Sequence, residues 1–90
     1  MSEFPLAIVT GASNRLGRAF ALTLARRGQA ILLHYHHNEQ GAQETGEAIR
    51  ALDAPVYLQQ ADLAIPEQIE DLFKLVDTLP HPLKVLVNSA

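Results

Sequence analysis

Two kinds of apolar patterning alternate along the chain. The runs Leu6-Ala7-Ile8-Val9, ending at Thr10, and Ala30-Ile31-Leu32-Leu33-His34-Tyr35 are almost unbroken, which predicts strands covered on both faces. Between them, Leu16, Ala19, Phe20 and Leu24 recur at helical spacing and predict a helix over Leu16 to Arg27 with those four residues inward. Gly28, just past paired arginines, supplies its stop. A second helix is expected from about Glu39 to Leu52, with Asn38 as N-cap and Ala42, Thr45, Ile49 and Leu52 on one stripe. Gly41 and Gly46 weaken it. Asp53-Ala54-Pro55 then turns the chain into a third strand, Val56 to Ala61. Pro66 suits the first position of a third helix, whose stripe is Ile69, Leu72, Phe73, Val76 and Leu79. Pro80-His81-Pro82 ends that helix, and Leu83-Lys84-Val85-Leu86-Val87 reads as a fourth strand.

Strands and helices that alternate with connections of this length specify parallel crossovers, which are right-handed almost without exception. The economical topology is α/β: a Rossmann-type doubly wound parallel sheet, partial, with strand order 3-2-1-4. Residues 1–90 are read as one half of a single such domain. In these sheets a ligand lies outside the carboxyl ends of the strands, where the order reverses. The polar residues gather at those ends: Thr10 to Gly17, Tyr35 to Asn38, Asp62 with Leu63, and Asn88 to Ala90.

The stretch Thr10-Gly11-Ala12-Ser13-Asn14-Arg15-Leu16-Gly17 joins the first strand to the first helix. Backbone N–H groups of such a turn and of the first helical turn lack intrahelical partners, and the helix dipole places partial positive charge there. A phosphate is the ligand that fits. Gly11 permits the tight reversal, and Gly17 permits close approach of helix and strand.

Composition narrows the classes. With 48% hydrophobic and 19% charged residues the chain is globular. The net charge of −3 hides an asymmetry: up to His37 four arginines face one acid, whereas from Asn38 onward three basic residues face nine acids. Positive charge therefore falls in the segment with the glycine turn, although Arg26 and Arg27 also suit a helix C-terminus without any ligand. The absence of cysteine excludes disulfides and thiolate metal sites. Met1-Ser2-Glu3-Phe4-Pro5 has no basic residue and leads directly into a strand, and no apolar run approaches membrane-spanning length, so a cytoplasmic protein without membrane association is expected. No basic stripe with interleaved aromatics supports nucleic-acid binding. His34, His36 and His37 could be metal ligands, since i and i+2 on a strand share a face, but no carboxylate or cysteine accompanies them locally, and no metal is expected.

Thr10-Gly11-x-x-x-Arg15-x-Gly17, Asp62-Leu63 and Leu86-Val87-Asn88-Ser89-Ala90 together resemble the N-terminal half of the short-chain dehydrogenase/reductases. Arg15 in place of the usual third glycine, with Leu33-His34-Tyr35-His36, is similar to the pteridine reductase branch. Two departures from that branch are His37, where it carries an arginine, and Asn-Ser-Ala at 88–90 instead of Asn-Asn-Ala. The resemblance implies a coenzyme site. Gly11, Ser13, Asn14, Leu16 and Gly17 would lie along the pyrophosphate; Arg15, with Tyr35, His36, His37 and Asn38, would hold the adenosine 2′-phosphate. Asp62 and Leu63 would border the adenine, and Asn88, Ser89 and Ala90 would run along the nicotinamide ribose. It also implies a small-molecule carbonyl, enone or imine substrate and a homo-oligomeric full-length enzyme.

The residues favour NADP(H) over NAD independently. An NAD site places a carboxylate at the end of the second strand to accept from the ribose 2′-OH. Here that place holds Tyr35-His36-His37-Asn38. Arg15 can bind a phosphate bidentately, and protonated imidazoles can add donors, so affinity should weaken as the histidines lose their protons. Glu39 is the nearest acid to that place in the sequence. Asp62 fits a second role, as a cap of the loop before the third helix. No catalytic residue can be assigned: the family's Tyr-x-x-x-Lys pair is not present, since neither Tyr35 nor Tyr57 is followed by lysine at the fourth position. The expectation is a truncated part of a longer enzyme, inactive by itself. A non-catalytic NADP(H)-binding module or sensor, and a doubly wound domain for another nucleotide-like ligand, are the two alternatives.

Overall fold

The structure, a computed structural model, describes residues 4–12 and 14–89. Its elements are β1 (Leu6–Thr10), α1 (Arg15–Arg26), β2 (Ala30–Tyr35), α2 (Glu39–Arg50), β3 (Val56–Gln60), α3 (Pro66–Thr78) and β4 (Leu83–Asn88). The four strands form one parallel sheet of order β3-β2-β1-β4, as the alternation of patterns requires. Strands β1 and β2 lie in the middle, and every residue from Leu6 to Thr10 and from Ala30 to His34 is buried. Burial on both faces is why these two segments are apolar without alternation.

The pleat divides the core into two layers. Ala7, Val9, Ile31 and Leu33 face α1 and α2, meeting Ala21, Ala25 and Ile49. Leu6, Ile8, Ala30 and Leu32 face the other way, onto Leu72 and Val76 of α3. Strand β1 thus fills one layer with odd-numbered positions and the other with even-numbered ones.

The inward face of α1 differs from the periodicity reading. Gly17, Ala21 and Ala25 are its buried residues, whereas Leu16 is 59% and Phe20 41% exposed and Ala19 is exposed too. Leu24 is half-buried against the core. Small residues at intervals of four let the helix axis come close to the sheet, and a large side chain there would hold it off. Spacing alone cannot choose between two stripes of the same period. Helix α2 ends at Arg50 instead of Leu52; Asp53 takes φ 61°, which aspartate tolerates, and Leu52 is exposed. Gly46 is part of the buried stripe of α2, where it faces the end of the Leu58 side chain, and an added Cβ would stand 3.0 Å from Leu58 Cδ1. On α3, Leu72 and Val76 are buried and Phe73 is exposed. The boundaries of α1, β3 and β4 fall one residue from those expected, within the usual fraying of element ends. Gly28, at φ 87°, closes α1 as foreseen, its amide donating to the Ala25 carbonyl at 3.0 Å.

Candidate functional site

The carboxyl ends of β1, β2, β3 and β4 open on the same edge of the sheet, and the order reverses between β1 and β4. That edge brings together Gly11, Ala12 and Asn14 to Gly17, Tyr35 to Asn38, Asp62 with Leu63, and Asn88 with Ser89. Ser13 and Ala90, both assigned to the coenzyme from the sequence, lie outside the described residues.

The turn after β1 begins at Gly11, whose φ of 66° is the left-handed conformation that glycine adopts without a steric penalty. Asn14 is the N-cap of α1: its Oδ1 accepts from the Gly17 amide at 2.7 Å, and the Asn14 amide donates to the Gly11 carbonyl at 3.1 Å. Gly17 sits against the turn so closely that a Cβ would lie 2.8 Å from Ser89 Oγ, 2.9 Å from Ala12 Cα, and nearer still to the Gly11 carbonyl oxygen. Its role in close packing is therefore as the spacing indicated.

The main-chain donors are unequally available. The Gly11 amide donates to His34 Nδ1 and the Ala12 amide to the His34 carbonyl, at 3.2 and 2.9 Å. With Gly17 capped, Arg15 and Leu16, the first two residues of α1, are the ones whose N–H groups keep no intrahelical partner. Both residues are exposed, and Arg15 makes no ion pair among the described residues. A dipole end with two open amides and a guanidinium is a fitting anion cradle.

A polar seam closes β4 onto this turn. Thr10 Oγ1 donates to Asn88 Oδ1 at 2.9 Å, Asn14 Nδ2 donates to the Ser89 carbonyl at 2.9 Å, and the Ser89 hydroxyl donates to the Thr10 carbonyl. Asn88 and Ser89 therefore support the turn. Thr10 belongs to the site as their partner, a role that a residue at the end of an apolar run does not announce.

On the opposite side, Tyr35 ends β2 and its phenol is raised above the usual value by burial and then by the charge of Glu39. His36 and His37 are exposed and stack with ring centroids 3.8 Å apart. Asn38 Oδ1 caps α2 through the Gly41 amide at 2.9 Å. The Glu39 carboxylate accepts from Gln43 one turn along its own helix, at 2.9 Å. Asp62 commits one carboxylate oxygen to the Ala64 amide at 2.9 Å, so the loop-cap reading holds, and presents the other 3.6 Å from His36 Nε2. The pairing of His36 with Asp62 spans two loops far apart in the chain, and no local pattern signals it. Tyr57, by contrast, meets His81 at the amino end of the sheet, with Oη to Nε2 at 2.9 Å, well away from this edge.

A doubly wound parallel sheet with a capped glycine turn at its switch point defines a dinucleotide-type α/β domain. The chain belongs to the short-chain dehydrogenase family, whose model, described as "short chain dehydrogenase", matches residues 5–90. It is 36% identical over 85 residues to the "Uncharacterized oxidoreductase YgfF" of Escherichia coli, covering 94% of this chain and 34% of that protein. It is 41% identical over 85 residues to the "Hydroxynaphthalene reductase arp2" of Aspergillus fumigatus, covering 94% of this chain and 31% of that one. Among solved structures, acetoin dehydrogenase from Enterobacter cloacae superposes with a TM-score of 0.90 at 32% identity, over all of this chain and 36% of that one. The chain thus spans about a third of the length of these relatives. No helix is long and apolar enough to cross a membrane among the described residues.

Proposed function

We propose that these residues form the coenzyme-binding half of an NADP(H)-dependent short-chain oxidoreductase that reduces a small-molecule carbonyl, enone or imine. The observation that carries the reading is the make-up of the sheet edge. An open helix N-terminus begins with the exposed Arg15, and the end of β2 offers His36 and His37 where an NAD site would hold a carboxylate. Glu39, the nearest acid in sequence, is turned to Gln43. The Arg15 and Leu16 amides would take the pyrophosphate, Arg15 and the stacked histidines the 2′-phosphate, and Leu63 with Asp62 the adenine side. The Thr10–Asn88–Ser89 seam would hold β4 in place along the nicotinamide ribose. The bound coenzyme supplies hydride from its nicotinamide.

In this reading these residues would bind and orient, and neither tyrosine among the described residues is placed to supply the reaction's proton. Tyr57 is at the wrong end of the sheet, and Tyr35 lacks the lysine partner. The family's Tyr-x-x-x-Lys pair would act from residues other than these, in a homo-oligomeric cytoplasmic enzyme. Arg15 in the turn, with Leu33-His34-Tyr35-His36 on β2, supports a place near the pteridine reductase branch and makes a pterin one candidate substrate. Relatives named as a reductase and a dehydrogenase support the reaction class.

Titration calorimetry with NADPH and NADH tests the reading. NADPH should bind more tightly, and Arg15→Ala should weaken NADPH about 10- to 100-fold, the worth of a charge-assisted hydrogen bond, with NADH nearly unchanged. Equal affinities for the two coenzymes, or equal losses on substitution, would refute the assignment.

A further inference from the structure

We propose that His34 is a positioning residue: its imidazole pins the phosphate-binding turn in its open form and joins it to the loop after β3. The proposal rests on the coenzyme reading above. His34 lies near the end of β2, 3% exposed, in a run otherwise apolar up to Tyr35. A leucine would bury as well there. The ring instead bridges two backbone groups from different segments, accepting from the Gly11 amide at Nδ1 (3.2 Å) and meeting the Ala61 carbonyl at Nε2 (2.8 Å). An amide only donates and a carbonyl only accepts, so Nδ1 is bare and Nε2 carries the proton. The ring is the neutral Nε2–H tautomer, and a second proton would set two donors face to face at Gly11.

Gly11 is where such a pin has most effect. Its positive φ is open to glycine, but glycine also has the widest choice of other conformations. The Gly11 amide on the imidazole and the Ala12 amide on the His34 carbonyl fix two successive peptide groups toward β2. Those two donors are turned away from a ligand, and the chain is delivered into the Asn14 cap with the Arg15 and Leu16 amides open. Without the pin, coenzyme binding would have to order this turn, and the lost conformational entropy would be taken out of the affinity. Through Ala61 the same ring reaches the residue before Asp62, so the two loops that flank β2 are held by one side chain.

Two substitutions separate the two ends of the ring. In His34→Asn the amide oxygen can stand where Nδ1 stands and accept from Gly11, while the Ala61 carbonyl is left without its donor. In His34→Gln the longer amide can donate to Ala61, while the Gly11 amide is left without its acceptor. Both variants should lower the melting temperature to a similar degree. NADPH affinity should stay within about threefold of wild type in His34→Asn and fall about tenfold in His34→Gln, close to 1.4 kcal/mol. Exchange of the Gly11 amide with deuterium should be slow in wild type and His34→Asn and fast in His34→Gln. Affinity losses that track melting temperature in both variants would make His34 merely structural and overturn the proposal, as would unchanged affinity in His34→Gln. In the wild-type protein alone, ¹⁵N correlation of the ring should find Nδ1 unprotonated; a proton on Nδ1 overturns it even where neither variant folds. Should wild type bind no NADPH, the coenzyme reading fails, while Gly11 exchange still decides whether His34 pins the turn.

Discussion

Replacing Gly17 with alanine sets two effects of known size against each other. Gly17 is the third residue of α1, and alanine at a helical position gains up to about 1 kcal/mol over glycine. Against this stands the space. The added methyl would lie 2.8 Å from Ser89 Oγ and 2.9 Å from Ala12 Cα, and closer to the Gly11 carbonyl. Two of these three neighbours are backbone, and the Gly11 peptide is itself bonded to His34 and Asn14. Relief therefore requires the whole first turn of α1 to move off β1. Overpacking costs about 1–3 kcal/mol, and three contacts under 3.0 Å, two of them with backbone, put this site in the upper part of that range, so a helix gain of up to about 1 kcal/mol leaves a net loss near 1–2 kcal/mol. For a domain of this size that is about 5–15 °C in melting temperature. Gly46→Ala is the internal control. Its new methyl would be crowded only by the end of the Leu58 side chain at 3.0 Å, which can rotate away, with Leu33 and Val56 at ordinary contact distance, so its net effect should be close to zero. Thermal unfolding followed by circular dichroism, with denaturant midpoints at unchanged slope, measures both. A Gly17→Ala protein as stable as wild type, or one no worse than Gly46→Ala, would refute the claim that this glycine sets the distance between helix and sheet.

Two other outcomes follow from the same edge of the sheet. Asn14→Ala removes both the cap on Gly17 and the bond to the Ser89 carbonyl, for a loss of about 1–2 kcal/mol; Asn14→Asp keeps the cap and should fall between it and wild type in urea denaturation, and equal losses would contradict the double role. The Tyr35 phenol, raised by burial and by Glu39, favours the folded state while it is protonated. Its contribution is full below about pH 10, the unfolded tyrosine value, and is lost as pH rises through the higher folded value, so Tyr35→Phe should flatten the fall of stability in alkali; an unchanged slope would refute it.

By itself the sequence determined the order of elements and the direction of the sheet. Continuous apolar runs can be satisfied only by burial on two faces, and crossovers of this length then admit one hand and one economical strand order. Gly11, Gly28, Pro66 and the cap at Asn38 are equally local: each answers a need of its own backbone, which is why spacing reveals it. The family resemblance was legible for the same reason, because its residues are those turn and strand-end positions. Only the tertiary structure decided which face of α1 turns inward. Leu16, Phe20 and Leu24 on one stripe and Gly17, Ala21 and Ala25 on another share a period, and how near the helix can come to the sheet selects between them. Nor could spacing find that His34 clasps Gly11 and Ala61, that Asp62 turns to His36, or that Thr10 and Asn14 seal β4 onto the turn. Those bonds join segments 23 to 78 residues apart, and a pair that distant leaves no mark on the local pattern of either partner.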